Sequence, residues 1–216
     1  MLGRVNVHTH PAQEPRRVPQ QPRGERRVAQ LLHGAASVIA EVGYEPATMS
    51  AIAERARAPI GSLYQFFPNK QAITHALRTE YGKDYDARLA ALESEAKHLS
   101  LQHVVARLIT LTVGFVESHP AFLALLDAPS ATRSPASLRR TLRHRLAGCF
   151  TAVCPRTARA KSLALAAVTL QVMKGLTQLY AEASSHERRQ YIREYRAVLF
   201  SYLAARLEPE RSRENE

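Results

Sequence analysis

Between Thr48 and Lys70 the chain sets out side chains suited to recognition rather than bond making. Ser62 and Gln65 can each donate and accept hydrogen bonds, which matches the edges of bases in a DNA groove. The Tyr64 and Thr48 hydroxyls can reach phosphate oxygens, and Lys70 supplies a point charge beside a duplex. Gly61, without a Cβ, lets a backbone approach closely. Other chemistries lack their residue sets. There is no Gly-rich phosphate loop and no Ser/His/Asp arrangement with a supporting context, so neither enzyme activity nor a catalytic residue is expected. Cys149 and Cys154, five positions apart, would point in different directions on a helix and could not easily bridge. Neither sits in a metal-spaced set, and His8 and His10 are too isolated to hold an ion. No metal and no cofactor is expected. The reduced cysteines fit a cytoplasmic setting, and a DNA partner would make the protein nucleoid-associated.

These side chains need a scaffold, and composition says what kind. Of 216 residues, 45% are apolar, enough for a packed core. Ala, Leu, Arg, Glu and Gln recur, while Gly is rare, so an all-α protein is expected. The formal charge of +11 favours a polyanionic partner, either nucleic acid or an anionic membrane surface. A membrane is disfavoured. No helix convincingly joins a basic face to a free apolar one, and the apolar stretch Leu163 to Ala181 is interrupted by Gln171, Lys174 and Gln178.

Along the chain, residues 1–22 read as a flexible basic arm with Pro11, Pro15 and Pro19 among Arg4, Arg16 and Arg17. The arm is either inert or reaches along DNA. Residues 23–70 form the head. A first helix of about 24–42 puts Val28, Leu31, Leu32, Ala35 and Ile39 on one face. Gly43 stops it in a left-handed cap. A short helix capped by Thr48 follows, then a second starting at Pro59, with only about three residues between them. This is helix-turn-helix geometry, with Ile60, Gly61, Ser62 and Gln65 facing outward from the second helix. Asn69 caps a long fourth helix. Further helices are expected at about 100–118, 120–127, 136–153, 156–183 and 187–207, making a regulatory and dimerisation body over 71–207. Residues 208–216 are a charged tail. The fold class is a three-helix head on a larger helical bundle, about nine helices in all.

Residues 43–73, GYEPATMSAIAERARAPIGSLYQFFPNKQAI, resemble the DNA-binding head of the tetracycline-repressor (TetR) family. The matching elements are Gly43-Tyr44, Thr48, Ile52-Ala53, Ala56, Gly61, Leu63-Tyr64, Phe67, Lys70 and Ile73. The family's turn reads Ala-Gly-Val-Ser where this chain has Ala56-Arg57-Ala58-Pro59. Arg57 therefore stands where the family has Gly, at a strain of roughly 1 kcal/mol if that position needs positive φ, and could touch a phosphate. Ile60 stands where a polar or basic residue is common, so it could meet a thymine methyl instead. The resemblance implies a homodimeric bacterial repressor on double-stranded operator DNA, released by a small molecule bound in the body.

For the body, the helix expected at 156–183 is apolar nearly all round, so one side meets its own core and another needs a second copy. Leu165, Val168, Val172 and Leu179, with Tyr195, Leu199 and Tyr202 of the last helix, are the candidate dimer surface. Phe115, His119, Phe122, Leu126, Met173 and Tyr180 are candidates to line an effector cavity. Residues 128–181 carry nine Arg or Lys and no Asp or Glu. That run is either a solvated basic face or an attraction for an anionic effector or an acidic protein patch. A rival reading is an effector-independent, partner-recruiting architectural DNA binder, which a solid body would favour and an apolar pocket would disfavour.

Overall fold

The computed structural model describes residues 22–128 and 136–207. The arm up to residue 21, most of the connection between the helices expected at 120–127 and 136–153, which reads in the sequence as a loop rich in Pro, Ser and Ala, and the 208–216 tail lie outside the described residues. Among the described residues nine α-helices follow one another: α1 (Pro22–Val42), α2 (Met49–Arg55), α3 (Ile60–Phe66), α4 (Lys70–Glu95), α5 (Leu101–Ser118), α6 (Ala121–Asp127), α7 (Ala136–Val153), α8 (Arg159–Glu182) and α9 (Ser185–Leu207). Among the described residues there is no strand, and no helix is long and apolar enough to cross a membrane.

Local chemistry sets the breaks between the head helices. Gly43 takes φ +85 and ends α1, its N–H bonding the Ile39 carbonyl at 2.9 Å. Thr48 accepts a hydrogen bond from the Ala51 N–H at 3.2 Å and so starts α2. Asn69 does the same for α4 through the Ala72 N–H at 2.8 Å. Pro59 is the N-cap of α3 and Ile60 its first helical residue, whereas the sequence suggested Pro59 for that first position.

Two cores result. The first gathers Val28, Leu31, Ile39, Ile52, Leu63, Phe67, Ile73 and Leu77 of α1–α4 and the turn after α3, and continues into Tyr81, Phe115, Ala121 and Leu125. The packing of the head therefore runs on into α6, and α4 belongs to both cores. The second core lies in the body: Leu89 and Leu92 of α4, Val104 and Leu108 of α5, Leu146 and Phe150 of α7, Leu165 and Met173 of α8, and Leu199 and Leu203 of α9. Arg145 of α7 ties that helix to α4 through Asp86 at 3.1 Å and Glu93 at 3.2 Å.

Candidate nucleic-acid interface

The head is built so that one short helix stands proud. Leu63 and Phe67 are fully buried and anchor α3 and the residue just after it. The opposite face carries Ile60, 42% exposed, and Tyr64, 50% exposed, with Gly61 and Gln65 also exposed and Ser62 half-buried. A Cβ built on Gly61 would meet nothing within 4 Å, so the space before it is open. This is the outward set the sequence indicated, on a helix of seven residues.

The turn between α2 and α3 explains itself through Arg57. Its φ is +49, and it is the one non-glycine residue with positive φ among those described. Two hydrogen bonds close the end of α2 around it. The Arg57 N–H donates to the Glu54 carbonyl and the Ala58 N–H to the Ala53 carbonyl, both at 2.9 Å. That pair is a Schellman ending, in which the left-handed residue satisfies carbonyls the helix would otherwise leave open. The strain anticipated for an arginine here is therefore present in the backbone, and the side chain is exposed.

Lys70 departs from expectation. Its ammonium donates to the Tyr44 carbonyl at 2.7 Å and the Glu45 carbonyl at 2.8 Å, and it lies 4.4 Å from the centre of the Tyr44 ring. The charge is turned onto the α1–α2 connection instead of standing free beside a duplex. Burial, helped by the neighbouring Glu45 carboxylate, raises the Tyr44 hydroxyl above its ordinary pKa. Two braces had no signal in the sequence motif. Gln30 of α1 donates to the Ala56 carbonyl at 2.7 Å, and Arg55 of α2 bonds both Ser37 and Glu41 of α1. Gly34 makes this contact of α1 with α2 possible, since a Cβ there would sit 2.7 Å from that of Ala56.

Two family models match this chain. Residues 31–77 fit the description "Bacterial regulatory proteins, tetR family", and residues 100–203 fit "Tetracyclin repressor-like, C-terminal domain". The chain belongs to the TetR family. It is 34% identical over 89 residues to the HTH-type transcriptional repressor KstR of Mycolicibacterium smegmatis. That match covers 39% of this chain and only 42% of the relative. A TetR-family transcriptional regulator from Streptomyces coelicolor is similar with a TM-score of 0.66 and 25% identity, over 84% of this chain and 99% of that one. A TetR-family regulator from Pectobacterium atrosepticum shares the fold at a TM-score of 0.66 and 18% identity, over 89% of this chain and all of that one.

The body of this TetR-family protein holds a cavity of about 690 Å³ lined by residues of α4 to α8. Of the six positions expected to line it, Phe115, Phe122, Leu126 and Met173 do so. His119 and Tyr180 do not. His119 is packed at the α5–α6 joint, stacked on Phe115 with ring centres 4.3 Å apart and with Nε2 3.7 Å from Asp84. Tyr180 turns to Glu117, donating to its carboxylate at 2.6 Å. His119 thus packs on a ring of the cavity wall without lining it, and Tyr180 bonds a residue outside the cavity.

The expected dimer surface also divides. Leu165 and Leu199 are buried in the protomer's own core, which removes them from any outer face. Val168 at 44% and Leu179 at 43% exposure face outward. Val172, Tyr195 and Tyr202 are half-buried beside them. Val198 of α9, 55% exposed, joins the outer set. It lies one position before Leu199, which is enough to change sides on a helix.

Proposed function

We propose that the chain is a homodimeric, sequence-specific DNA-binding repressor whose operator affinity is set by a small molecule held in the body cavity. The observation that carries the DNA reading is the outward face of α3: Ile60, Gly61, Tyr64 and Gln65 exposed on a helix pinned from behind by Leu63 and Phe67. In this reading α3 enters the major groove. Gln65 and Ser62 bond base edges and Ile60 meets a thymine methyl. Tyr64 and Arg57 reach phosphates, and Thr48 adds its hydroxyl at the N-terminus of α2. Lys70 acts by holding the α1–α2 connection against the head through the Tyr44 and Glu45 carbonyls.

Two heads are needed to occupy successive major grooves roughly 34–36 Å apart. The exposed Val168, Leu179 and Val198 on α8 and α9 support pairing through those helices. The effector part of the reading rests on the cavity, whose inner wall is apolar and aromatic. A body so hollowed speaks against the effector-independent architectural protein. The site of action in this reading is the chromosome in the cytoplasm.

The test is a footprint on DNA upstream of the protein's own gene, or on sites chosen by selection from random DNA, with Tyr64→Ala/Gln65→Ala alongside. A protected, two-fold symmetric site lost in the variant supports the reading. A folded dimer that selects no site from random DNA at low salt sinks it.

A further inference from the structure

The residues around the cavity sort by burial into two chemically different sides. The inner side is Tyr81, Phe115, Leu125 and Met173, all buried. Two hydroxyls beside it, those of Thr112 and Tyr85, are already engaged. Thr112 Oγ1 donates to the Leu108 carbonyl at 2.8 Å, so the Tyr85 hydroxyl, 2.9 Å from Thr112 Oγ1, must donate to Thr112 Oγ1. The inner side therefore presents hydrocarbon and ring surface, with no open donor from this pair.

The outer side is cationic. Arg78, Arg139, Arg140, Arg143 and Lys174 line the cavity, and no Asp or Glu does. Arg140 and Arg143 lie one turn apart on α7, and Lys174 faces them from α8. Among the described residues no carboxylate lies within ion-pair distance of these three. Arg143 Nε is shielded from solvent and has no hydrogen-bond partner. Arginine on this same helix is paired where an acid is at hand, as Arg145 shows with Asp86 and Glu93. Buried polar groups in folded proteins find partners, so an unpaired one calls for an occupant. Arg140, Arg143 and Lys174, gathered on one wall with no ion pair of their own among the described residues, select an anion.

We infer that the cavity takes an amphipathic oxyanion: a carboxylate or phosphate head held by Arg140, Arg143 and Lys174, and an apolar body laid against Tyr81, Phe115, Phe122 and Met173. This rests on the effector reading above and names its ligand class. The volume of about 690 Å³ lies within the usual range for small-molecule sites, roughly 300–1,000 Å³. The planar guanidinium fork suits both oxyanions.

The experiment is calorimetric titration of the full chain with decanoate, decyl phosphate and decan-1-ol, each below its micelle or solubility limit. The three share one chain and differ in head charge. Both anions, or one of them, bind one per protomer, and the alcohol binds at least tenfold more weakly. The stronger of the two anions identifies the head. Arg140→Met/Lys174→Met weakens the anion at least tenfold and leaves the alcohol within twofold. Arg143→Met moves the anion in the same direction, with thermal melts confirming that both variants fold. Alcohol binding as tight as the anions, anion affinity unchanged in the variants, or no binding by any of the three overturns the inference. Footprints with each ligand separate the two levels. A charge-selective ligand that leaves the footprint intact refutes the effector reading while the ligand class stands. A footprint released by the alcohol alone keeps the effector reading and refutes the class.

Discussion

Replacing Arg57 by glycine should stabilise the fold and weaken DNA binding at once. Arg57 holds φ +49 in the Schellman ending of α2. A side chain there costs about 1–2 kcal/mol of steric strain, which glycine removes. Against this, glycine gives the unfolded chain more freedom, costing about 0.4–1 kcal/mol. No side-chain hydrogen bond is lost, because the Arg57 side chain is exposed and both bonds of the motif come from the main chain. The net gain is about 0.8 kcal/mol. For a chain of this size it should raise Tm by about 2–3 °C. If the guanidinium sits on a phosphate, the same change removes one contact per head. With two heads on the operator, the slope of log K against log salt should become shallower by about 1.8. Differential scanning calorimetry reads the first quantity, and fluorescence anisotropy with a labelled operator over a salt series reads the second. A fall in Tm would refute the strain argument. A rise in Tm with an unchanged salt slope would keep the strain and remove Arg57 from the interface.

Three further perturbations test other parts of the molecule. Lys70→Met deletes two charge-assisted hydrogen bonds to the Tyr44 and Glu45 carbonyls, so it should destabilise the head by about 1–3 kcal/mol in denaturant titration. Its DNA affinity should fall with little change in salt slope, in contrast to the loss of a direct phosphate contact. Val168→Glu/Val198→Glu puts charge on the exposed face of α8 and α9. It should raise the dimer dissociation constant at least about a hundredfold in sedimentation equilibrium, about 3 kcal/mol; a dimer that survives at the same concentration would move the interface elsewhere. Burial pushes the Cys149 thiol from 9.0 up to about 12 and the Tyr81 hydroxyl from 10.0 up to about 12. Each folded value is raised, so the stability these groups contribute is fully present below about pH 9 and is lost as pH climbs toward 12, by up to about 1.4 kcal/mol per pH unit for each. Cys149 should accordingly resist a thiol reagent at pH 8 until the protein unfolds.

What could be read from the residues alone follows from the range of the forces involved. Caps are local, so Gly43, Thr48 and Asn69 disclosed the ends of α1 and the starts of α2 and α4 directly. The outward face of α3 was legible because its buried partners, Leu63 and Phe67, lie within four residues of it. Lys70 was not, because its partners are the carbonyls of Tyr44 and Glu45, more than twenty positions back. On α8 apolar residues occur nearly all round the helix, so hydrophobic period could not choose between the side that meets α7 and α9 and the side left outside. Leu165 and Val168 differ by less than one turn and end on opposite sides of that choice. The cationic wall of the cavity depends on the rotation of α7, which the Arg145 pairs with Asp86 and Glu93 set. The acid-free run from 128 to 181 hinted at the charge but not at its direction.

The placement of the cavity also bears on how a ligand could act on a head that it does not touch. Tyr81, Phe115 and Leu125 line the cavity and are at the same time members of the head core. Phe122 lines the cavity and packs against that core as well. Arg78 bonds the Leu125 carbonyl from α4, so α4 and α6 are joined at the cavity wall. A close-packed interior does not absorb a new volume by yielding a little everywhere; it repacks in discrete arrangements. A ligand that pushes on Phe115 or Phe122 therefore pushes on the packing beneath α1, and on α4, which runs from the cavity wall to the head at Lys70. The head angle changes only to the extent that the ligand binds one arrangement better than the other. The aromatic cluster of Tyr81, Phe115, His119 and Phe122 is where that difference would arise, because ring centres 4.3–6.3 Å apart leave no slack for a fifth group without a rotation.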